Sequence, residues 1–408
     1  MTRDPIAVVG ASLAGLNAAV ELRRRGFEGR LSIIGDEPHY PYDRPPLSKE
    51  LLRGEWLEAE AALPFDAAHL QAEWHLGHRA VSLAAQTREL DLDDGTRRQF
   101  PGGIVLATGA TPRRLPGVQL QGVHVLRSLS DLAGLRQSLA KGPAAIAVIG
   151  AGFIGQEVSA SCRMLGISVT LVEPAAPARH VLGDDVARHV AELHRAQGVD
   201  VRLGVAVAAL EGDDGRLSHI RLSNGDSLAV STAVVGIGVV PNVEWLQNSG
   251  LTLDDGVVCD ATCCAAEGIV AAGDVARWPN ARYGEMRRIE HWDNAVRQSV
   301  HAARRLLASP GDREFTAAYA PVPWFWSDQY GSKLQLIGST LRYDEVHIVR
   351  GDNGRYLALY RRADRLTAVF GINQAKRILS YRRLLNDNPS WAHALAALEP
   401  QERTHAGC

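Results

Sequence analysis

The chain has 408 residues, 46% of them hydrophobic and 22% charged, with 44 Lys plus Arg against 46 Asp plus Glu and a formal charge of -2. That composition excludes a disordered chain and leaves room for two or three domains with cores of their own, while the balanced charge argues against nucleic acid or an anionic membrane surface as partner. Five cysteines in such a length are no disulfide framework, and no stretch approaches the roughly 18 apolar residues of a membrane span, so a cytoplasmic protein is expected.

Residues 6–10 read as a buried strand, 13–25 carry apolar side chains at helical spacing, and 31–35 form a second strand, which together make a βαβ unit. The first strand starts so early that no secretory leader is expected before it. Leu76-Gly77, an Asp94-Gly95 hairpin signal and a strand at 104–108 ending in Gly109 follow. The same order then returns. Residues 145–150, 153–165 and 168–172 repeat strand, helix and strand, with Gly155 and Gly166 in the places of Gly15 and Gly26; Leu203-Gly204, Asn224-Gly225 and a strand at 233–236 running into Gly238 complete the second copy. The segment 268–275 (GIVAAGDV) belongs to neither copy and is expected to rejoin the first. From about residue 319 the texture changes to alternating strands, KLQLIGS, EVHIVRG, YLALYRR and LTAVFGI, then a helix over 374–385. The tail 386–408 is Ala-rich and weakly helical and carries no assigned role. The fold class is α/β, two Rossmann-like dinucleotide-binding domains plus a small α+β C-terminal domain. The predicted boundaries are 1–111 with 241–318 for the first domain, 112–240 for the second and 319–408 for the third.

In a dinucleotide turn the first glycine makes the bend, the second lets the backbone approach a pyrophosphate and the third lets helix and strand pack. GAGFIGQE fills all three slots with Gly150, Gly152 and Gly155, whereas GASLAG has Gly10 and Gly15 around Ser12. GASLAG alone reads equally as only a tight strand-to-helix turn. A complete βαβ unit closing on an acid favours a dinucleotide, and Asp36 and Glu173 close the two units where a carboxylate meets ribose hydroxyls. A carboxylate there repels a 2′-phosphate, and no basic residue follows Glu173 until Arg179, so NADH is expected over NADPH. Two such sites in one chain suggest a flavin in one and a nicotinamide in the other, because hydride transfer requires the two rings to stack.

The runs PYDRPPLSK (41–49), GAGFIGQE, VGIGVVPN (235–242), AAGDVA (271–276) and PWFWSDQY (323–330) resemble, in order along nearly the whole chain, the NADH-dependent ferredoxin reductases. These are glutathione-reductase-like flavoproteins of the putidaredoxin reductase and biphenyl-type dioxygenase reductase kind, which feed electrons to bacterial oxygenases. The resemblance implies FAD and NADH as cofactors and a small [2Fe-2S] ferredoxin as partner, serving a Rieske dioxygenase or a cytochrome-type monooxygenase, in a monomer or weak homodimer with no metal site of its own. It implies contacts to FAD from Gly10, Ser12, Ala14, Gly15, Asp36, Arg44, Lys49, Val81, Thr108, Arg127, Asp274 and Trp292. Contacts to NADH are implied for Gly150, Gly152, Phe153, Ile154, Gly155, Glu157, Glu173 and Gly238. Lys49, Glu157 and Trp326 are the catalytic candidates.

Lys49 and Glu157 would pair in a poorly solvated cleft, their joint protonation stabilising negative charge on the reduced ring. The simpler readings are a solvated helix-start lysine and a surface glutamate. The helix starting near Trp292 would aim its positive end at the flavin; packing alone is the alternative. Flavoprotein disulfide reductases carry cysteines where this chain has DRPPLSKEL, and no cysteine precedes Cys162; Cys263 and Cys264 read as core residues and Cys259 and Cys263 lack further ligands for a metal, so electrons must leave to an external acceptor. Trp324 and Trp326, spaced to share a face, are the expected exit, with Arg282, Arg287, Arg288, Lys333 and Arg342 as cations for an acidic ferredoxin. An aromatic plug is the competing reading. An NADH oxidase or peroxidase, an apoptosis-inducing-factor-like NADH sensor, and rubredoxin as acceptor stand as alternatives.

Overall fold

Continuous apolar runs such as IAVV and LSIIG suit strands covered on both faces. In the computed structural model, which describes residues 4–117 and 119–398, they lie side by side in a six-stranded sheet. Its order is Cys264–Ala266, Ile269–Ala271, Gly103–Leu106, Ile6–Val9, Leu31–Gly35 and Glu73–Leu76. Every pairing is parallel except the first. The strand Ile269–Ala271 comes from GIVAAGDV, so that segment does rejoin the first copy, beside Gly103–Leu106. A three-stranded antiparallel sheet, Ala80–Ala84, Glu89–Leu92 and Arg97–Gln99, turns at Asp94-Gly95.

This sheet belongs to a compact unit of residues 4–43, 59–111 and 239–323. Helices Leu13–Arg24 and Trp292–Leu307 pack against each other in it. Glu21 is buried between them and accepts from Arg24, Arg25 and Arg304, the last at 2.6 Å. Burial pushes its carboxyl up, but the hydrogen bonds from Arg24, Arg304 and Arg25 prevail and bring it down to about 2.

The second unit contains residues 44–58, 112–117, 119–238 and 324–398. Its five-stranded parallel sheet runs Asp200–Leu203, Ser168–Glu173, Ala145–Ile149, Ala233–Val235 and Val123–His124. The first four repeat the order of Glu73–Leu76, Leu31–Gly35, Ile6–Val9 and Gly103–Leu106, so the duplication seen in the turns is a duplication of topology. A separate five-stranded antiparallel sheet orders Trp324–Gln329, Ser332–Gly338, Arg365–Ile372, Tyr356–Arg362 and Glu345–Arg350. Leu182, Val186 and Val190 fill a core with Phe325, Leu336, Tyr360 and Phe370 from that sheet. Tyr360 Oη donates to Leu182 O at 2.7 Å, which satisfies a hydroxyl in that core. The tail contributes a helix at Trp391–Ala396, and the rest of 386–408 from 399 onward, Cys408 included, lies outside the described residues.

Residues 44–58 precede the predicted boundary at 111 yet group with this second unit. Pro45 and Pro46 pre-set the φ of a 3-10 turn, Pro45–Ser48, and Gly54 in the left-handed region ends the short helix Glu50–Arg53. Ser161 Oγ donates to Ser48 O at 2.6 Å and Arg53 Nη1 to Ser161 Oγ at 3.2 Å, which fasten the segment to helix Phe153–Met164.

Candidate functional site

Two glycine turns define the nucleotide-binding candidates. Gly10 has φ +117° and a Cβ on it would lie 2.1 Å from Ala107 O; Gly150 has φ +97° and its Cβ would lie 2.4 Å from Gly236 O. A Cβ on Gly15 would sit 1.8 Å from Gly10 O, and one on Gly155 would sit 2.0 Å from Gly150 O. No larger residue fits any of the four. Gly152 differs. A Cβ there would meet nothing nearer than Gly236 O at 3.9 Å, so glycine keeps open space over the first turn of helix Phe153–Met164. That turn has no acidic residue and no side-chain cap, which suits a pyrophosphate on its N–H groups. Ser12 begins helix Leu13–Arg24 in the same way, without capping it and with no acid in the first turn. Both turns therefore fit a dinucleotide.

Glu173 ends its strand with both oxygens engaged near the turn: Oε2 accepts from Ala151 N–H at 2.8 Å and Oε1 from Ala175 N–H at 3.1 Å. Asp36 is exposed just past Leu31–Gly35, and its neighbour Glu37 accepts from Tyr42 Oη at 2.5 Å. Thr108 Oγ1 donates to Asn242 O at 3.0 Å while Asn242 Nδ2 returns a bond to Thr108 O at 2.8 Å. Trp292 Nε1 donates to Asp43 Oδ1 at 2.7 Å. Ala14 is buried, Asp274 half-buried in the turn Gly273–Val275, and Val81 exposed on the strand Ala80–Ala84. Arg44, Lys49 and Arg127, named for the flavin, fall in the second unit, where Arg44 Nη1 donates to Arg127 O at 2.5 Å. Ile154 is exposed, Gly238 has φ +93°, and Phe153 meets Phe325 with ring centroids 4.4 Å apart.

Lys49 and Glu157 are neither solvated nor apart. They are 5% and 3% exposed, and Lys49 Nζ donates to Glu157 Oε2 at 2.9 Å. The same oxygen accepts from Ser48 Oγ at 2.5 Å, and Oε1 accepts from Ser327 Oγ at 2.7 Å. A carboxylate with three donors is well held without solvent. Ser48 and Ser327, and Asn242 and Asp43 beside Thr108 and Trp292, are site residues that no motif in the sequence marks. Only the spacing of PWFWSDQY, which alternates indoles with Phe325, Ser327 and Gln329, carries a local signal.

In the strand Trp324–Gln329 that alternation is real. Trp324 and Trp326 share one face with centroids 5.3 Å apart, and Phe325, Ser327 and Gln329 are buried on the other. Arg382 lies over the Trp324 ring at 4.8 Å and Lys333 by the Trp326 ring at 6.0 Å, Lys333 also pairing with Asp328 at 2.8 Å. Nothing in the spacing of the sequence marks Arg382 for that place. Arg288, expected as an available cation, is corrected: its side chain is 10% exposed and is engaged by Glu290 at 2.5 Å and Asp255 at 3.2 Å.

Burial pushes the Cys162 and Cys259 thiols up to about 12 and the Cys263 thiol well above its usual value, so these side chains behave as apolar core. Among the described residues no group of three or more His, Cys, Asp or Glu is placed to hold a metal ion.

Residues 4–299 match the family model "Pyridine nucleotide-disulphide oxidoreductase", and residues 324–402 match "Reductase C-terminal". The chain belongs to the pyridine nucleotide-disulphide oxidoreductase family. Among similar family members, the ferredoxin--NAD(+) reductase component of the p-cumate 2,3-dioxygenase system of Pseudomonas putida is 38% identical, over 97% of this chain and 95% of that protein. Rhodocoxin reductase of Rhodococcus erythropolis is 36% identical over 93% and 89%. The covalent putidaredoxin reductase–putidaredoxin complex superposes with a TM-score of 0.88 at 29% identity, covering 95% of this chain and 94% of that one.

Proposed function

We propose that this chain is a cytoplasmic, FAD-dependent reductase that oxidises NADH and passes single electrons to a [2Fe-2S] ferredoxin serving a bacterial oxygenase. The observation that carries the reading is the thiol-free segment Pro45–Arg53. Where a disulfide reductase holds cysteines, this chain holds a buried lysine against Glu157, and an electron pair with no thiol to receive it must go to an outside acceptor. Among the described residues no helix is long and apolar enough to cross a membrane.

FAD, when bound, supplies the conversion of a two-electron hydride into single electrons. Gly10, Ser12, Ala14 and Gly15 would receive its pyrophosphate, with Asp36 at the ribose and Thr108, Asp274 and Trp292 as further contacts. Gly150, Gly152 and Gly155 would hold the pyrophosphate of NADH, and Glu173 would meet its adenosine ribose while opposing a 2′-phosphate. Lys49, held by Glu157, would present a positive charge and N–H donors in a buried site. Trp326, flanked by Lys333, would face the ferredoxin, whose acidic surface the cations attract.

The test is to purify the protein, measure FAD by absorbance, and titrate anaerobically with NADH and NADPH. About one FAD per chain, bleached by NADH in preference to NADPH, is expected from two turns closing on different acids. Protein that neither contains nor takes up FAD would end the reading.

A further inference from the structure

We infer that Ser327 is a positioning residue for the Lys49–Glu157 pair, held in its donor orientation by a chain of buried amides that starts at the nucleotide turn. This rests on the reading above that the pair serves hydride transfer.

A serine hydroxyl has one hydrogen, and a carboxylate offers only acceptors. Ser327 Oγ spends its hydrogen on Glu157 Oε1 at 2.7 Å, and its lone pair receives Gln329 Nε2 at 3.0 Å. The second hydrogen of that amide goes to Gln156 Oε1, also at 3.0 Å. Gln156 in turn donates Nε2 to the carbonyl of Ala151 at 2.8 Å. Ala151 is the residue between Gly150 and Gly152, and its carbonyl accepts only. Each direction in the chain is therefore fixed from its two ends, the Ala151 carbonyl and the Glu157 carboxylate. Gln156, Ser327 and Gln329 are all at most 1% exposed, so water does not compete.

The result is a division of labour on one carboxylate. Oε2 takes Ser48 and Lys49, and among the described residues Oε1 takes Ser327 alone. Without Ser327 one oxygen has no partner and the carboxylate is free to turn about its last torsion, which loosens the grip on Lys49. Strand alternation explains why the same strand does this and carries the indoles: Trp324 and Trp326 occupy one face, Phe325, Ser327 and Gln329 the other.

The test compares Ser327→Ala, Ser327→Thr and Gln329→Leu in the full-length flavin-loaded protein. Acetylation of Lys49 by acetic anhydride is followed by mass spectrometry against exposed Lys141, beside anaerobic stopped-flow reduction of the flavin by NADH. Ser327→Ala is expected to label Lys49 about fivefold faster and to slow flavin reduction about tenfold, the scale of losing one hydrogen bond at a charged group. Gln329→Leu should do the same more weakly, and Ser327→Thr, which keeps the hydroxyl, should restore both. In a Glu157→Leu background, which leaves Ser327 no acceptor, Ser327→Ala should change neither quantity, which a merely structural serine would not produce. Unchanged Lys49 labelling in Ser327→Ala, or an effect equally large in the Glu157→Leu background, overturns the proposal. Failure of NADH to reduce the unsubstituted protein would instead contradict the functional reading, and the labelling would still decide the role of Ser327.

Discussion

Lys49 Nζ lies 2.9 Å from Glu157 Oε2, a bond between residues 108 positions apart in the chain, with both side chains almost wholly buried. Burying two charges is costly unless the geometry is good and the remaining lone pairs are used. Ser48 and Ser327 use them here.

Removing one partner should therefore do more harm than removing both. Lys49→Met is expected to cost about 3 to 5 kcal/mol by leaving Glu157 buried without its cation, and to slow flavin reduction by NADH. The Lys49→Met, Glu157→Leu double variant should lose less than the sum. Urea unfolding and stopped-flow absorbance measure the two quantities, and strict additivity in both would show that the residues do not act as a pair.

Glu173 holds the turn, since its carboxylate takes the Ala151 and Ala175 N–H groups, and under the proposed function it also selects the nucleotide. Glu173→Ser should weaken NADH and narrow the gap to NADPH by about 1 to 3 kcal/mol, the range for a charge-assisted hydrogen bond. Binding titrations with both nucleotides give the answer; an unchanged preference would reduce Glu173 to a turn brace.

What was legible in the sequence was what local spacing encodes. Gly10, Gly15, Gly150 and Gly155 announce themselves because the bend and the close helix–strand approach are made within a few residues of each other, and the hairpins at Asp94-Gly95 and Asn224-Gly225 do so for the same reason. Ser327 is hidden by contrast, because its partner Glu157 is 170 positions away and nothing in SDQY marks a hydroxyl that points at a carboxylate. Asp43 beneath Trp292, 249 positions off, is hidden likewise. Arg288 looks available in the sequence because a count of cations does not reveal that Asp255 and Glu290 already neutralise it. The grouping of 44–58 with the second unit follows from Ser161 and Arg53, whose contact no periodicity forecasts.

Stability should fall in two steps as the solution is acidified. Burial pushes His194 down to about 4, with Gln329 opposing, so its unfolded form takes a proton first and stability is lost from about pH 6.5 toward pH 4, by about 2 to 3 kcal/mol. Glu21 is depressed to about 2, so the stability that it contributes is present above its ordinary range and lost from about pH 4.5 toward pH 2, about 1 to 2 kcal/mol once solvent screening of its arginines is allowed for. Urea midpoints against pH should flatten above pH 4 in His194→Asn and below it in Glu21→Gln. Curves that keep the parent shape would refute both assignments.

The indole face should govern the ferredoxin step alone. Trp326→Ala is expected to slow ferredoxin reduction and spare flavin reduction by NADH, and Lys333→Glu should lower the association rate in a salt-dependent way. Arg288→Glu should reveal itself in stability, since it sets a third acid beside Asp255 and Glu290. Stopped-flow measurement of each half-reaction at low and high salt separates the two; slower flavin reduction with unchanged ferredoxin reduction would place the exit elsewhere.

The central claim is that electrons from NADH leave this protein to a ferredoxin. The most direct measurement is cytochrome c reduction by the protein and NADH, with and without a [2Fe-2S] ferredoxin, while oxygen uptake is recorded in parallel. Cytochrome reduction that depends on the ferredoxin, saturates with it and exceeds oxygen uptake is the predicted result. Fast oxygen consumption that a ferredoxin does not divert would make the protein an oxidase, a long-lived reduced complex that passes electrons to neither would make it an NADH sensor, and reduction only through a rubredoxin would name a different partner; each contradicts the account.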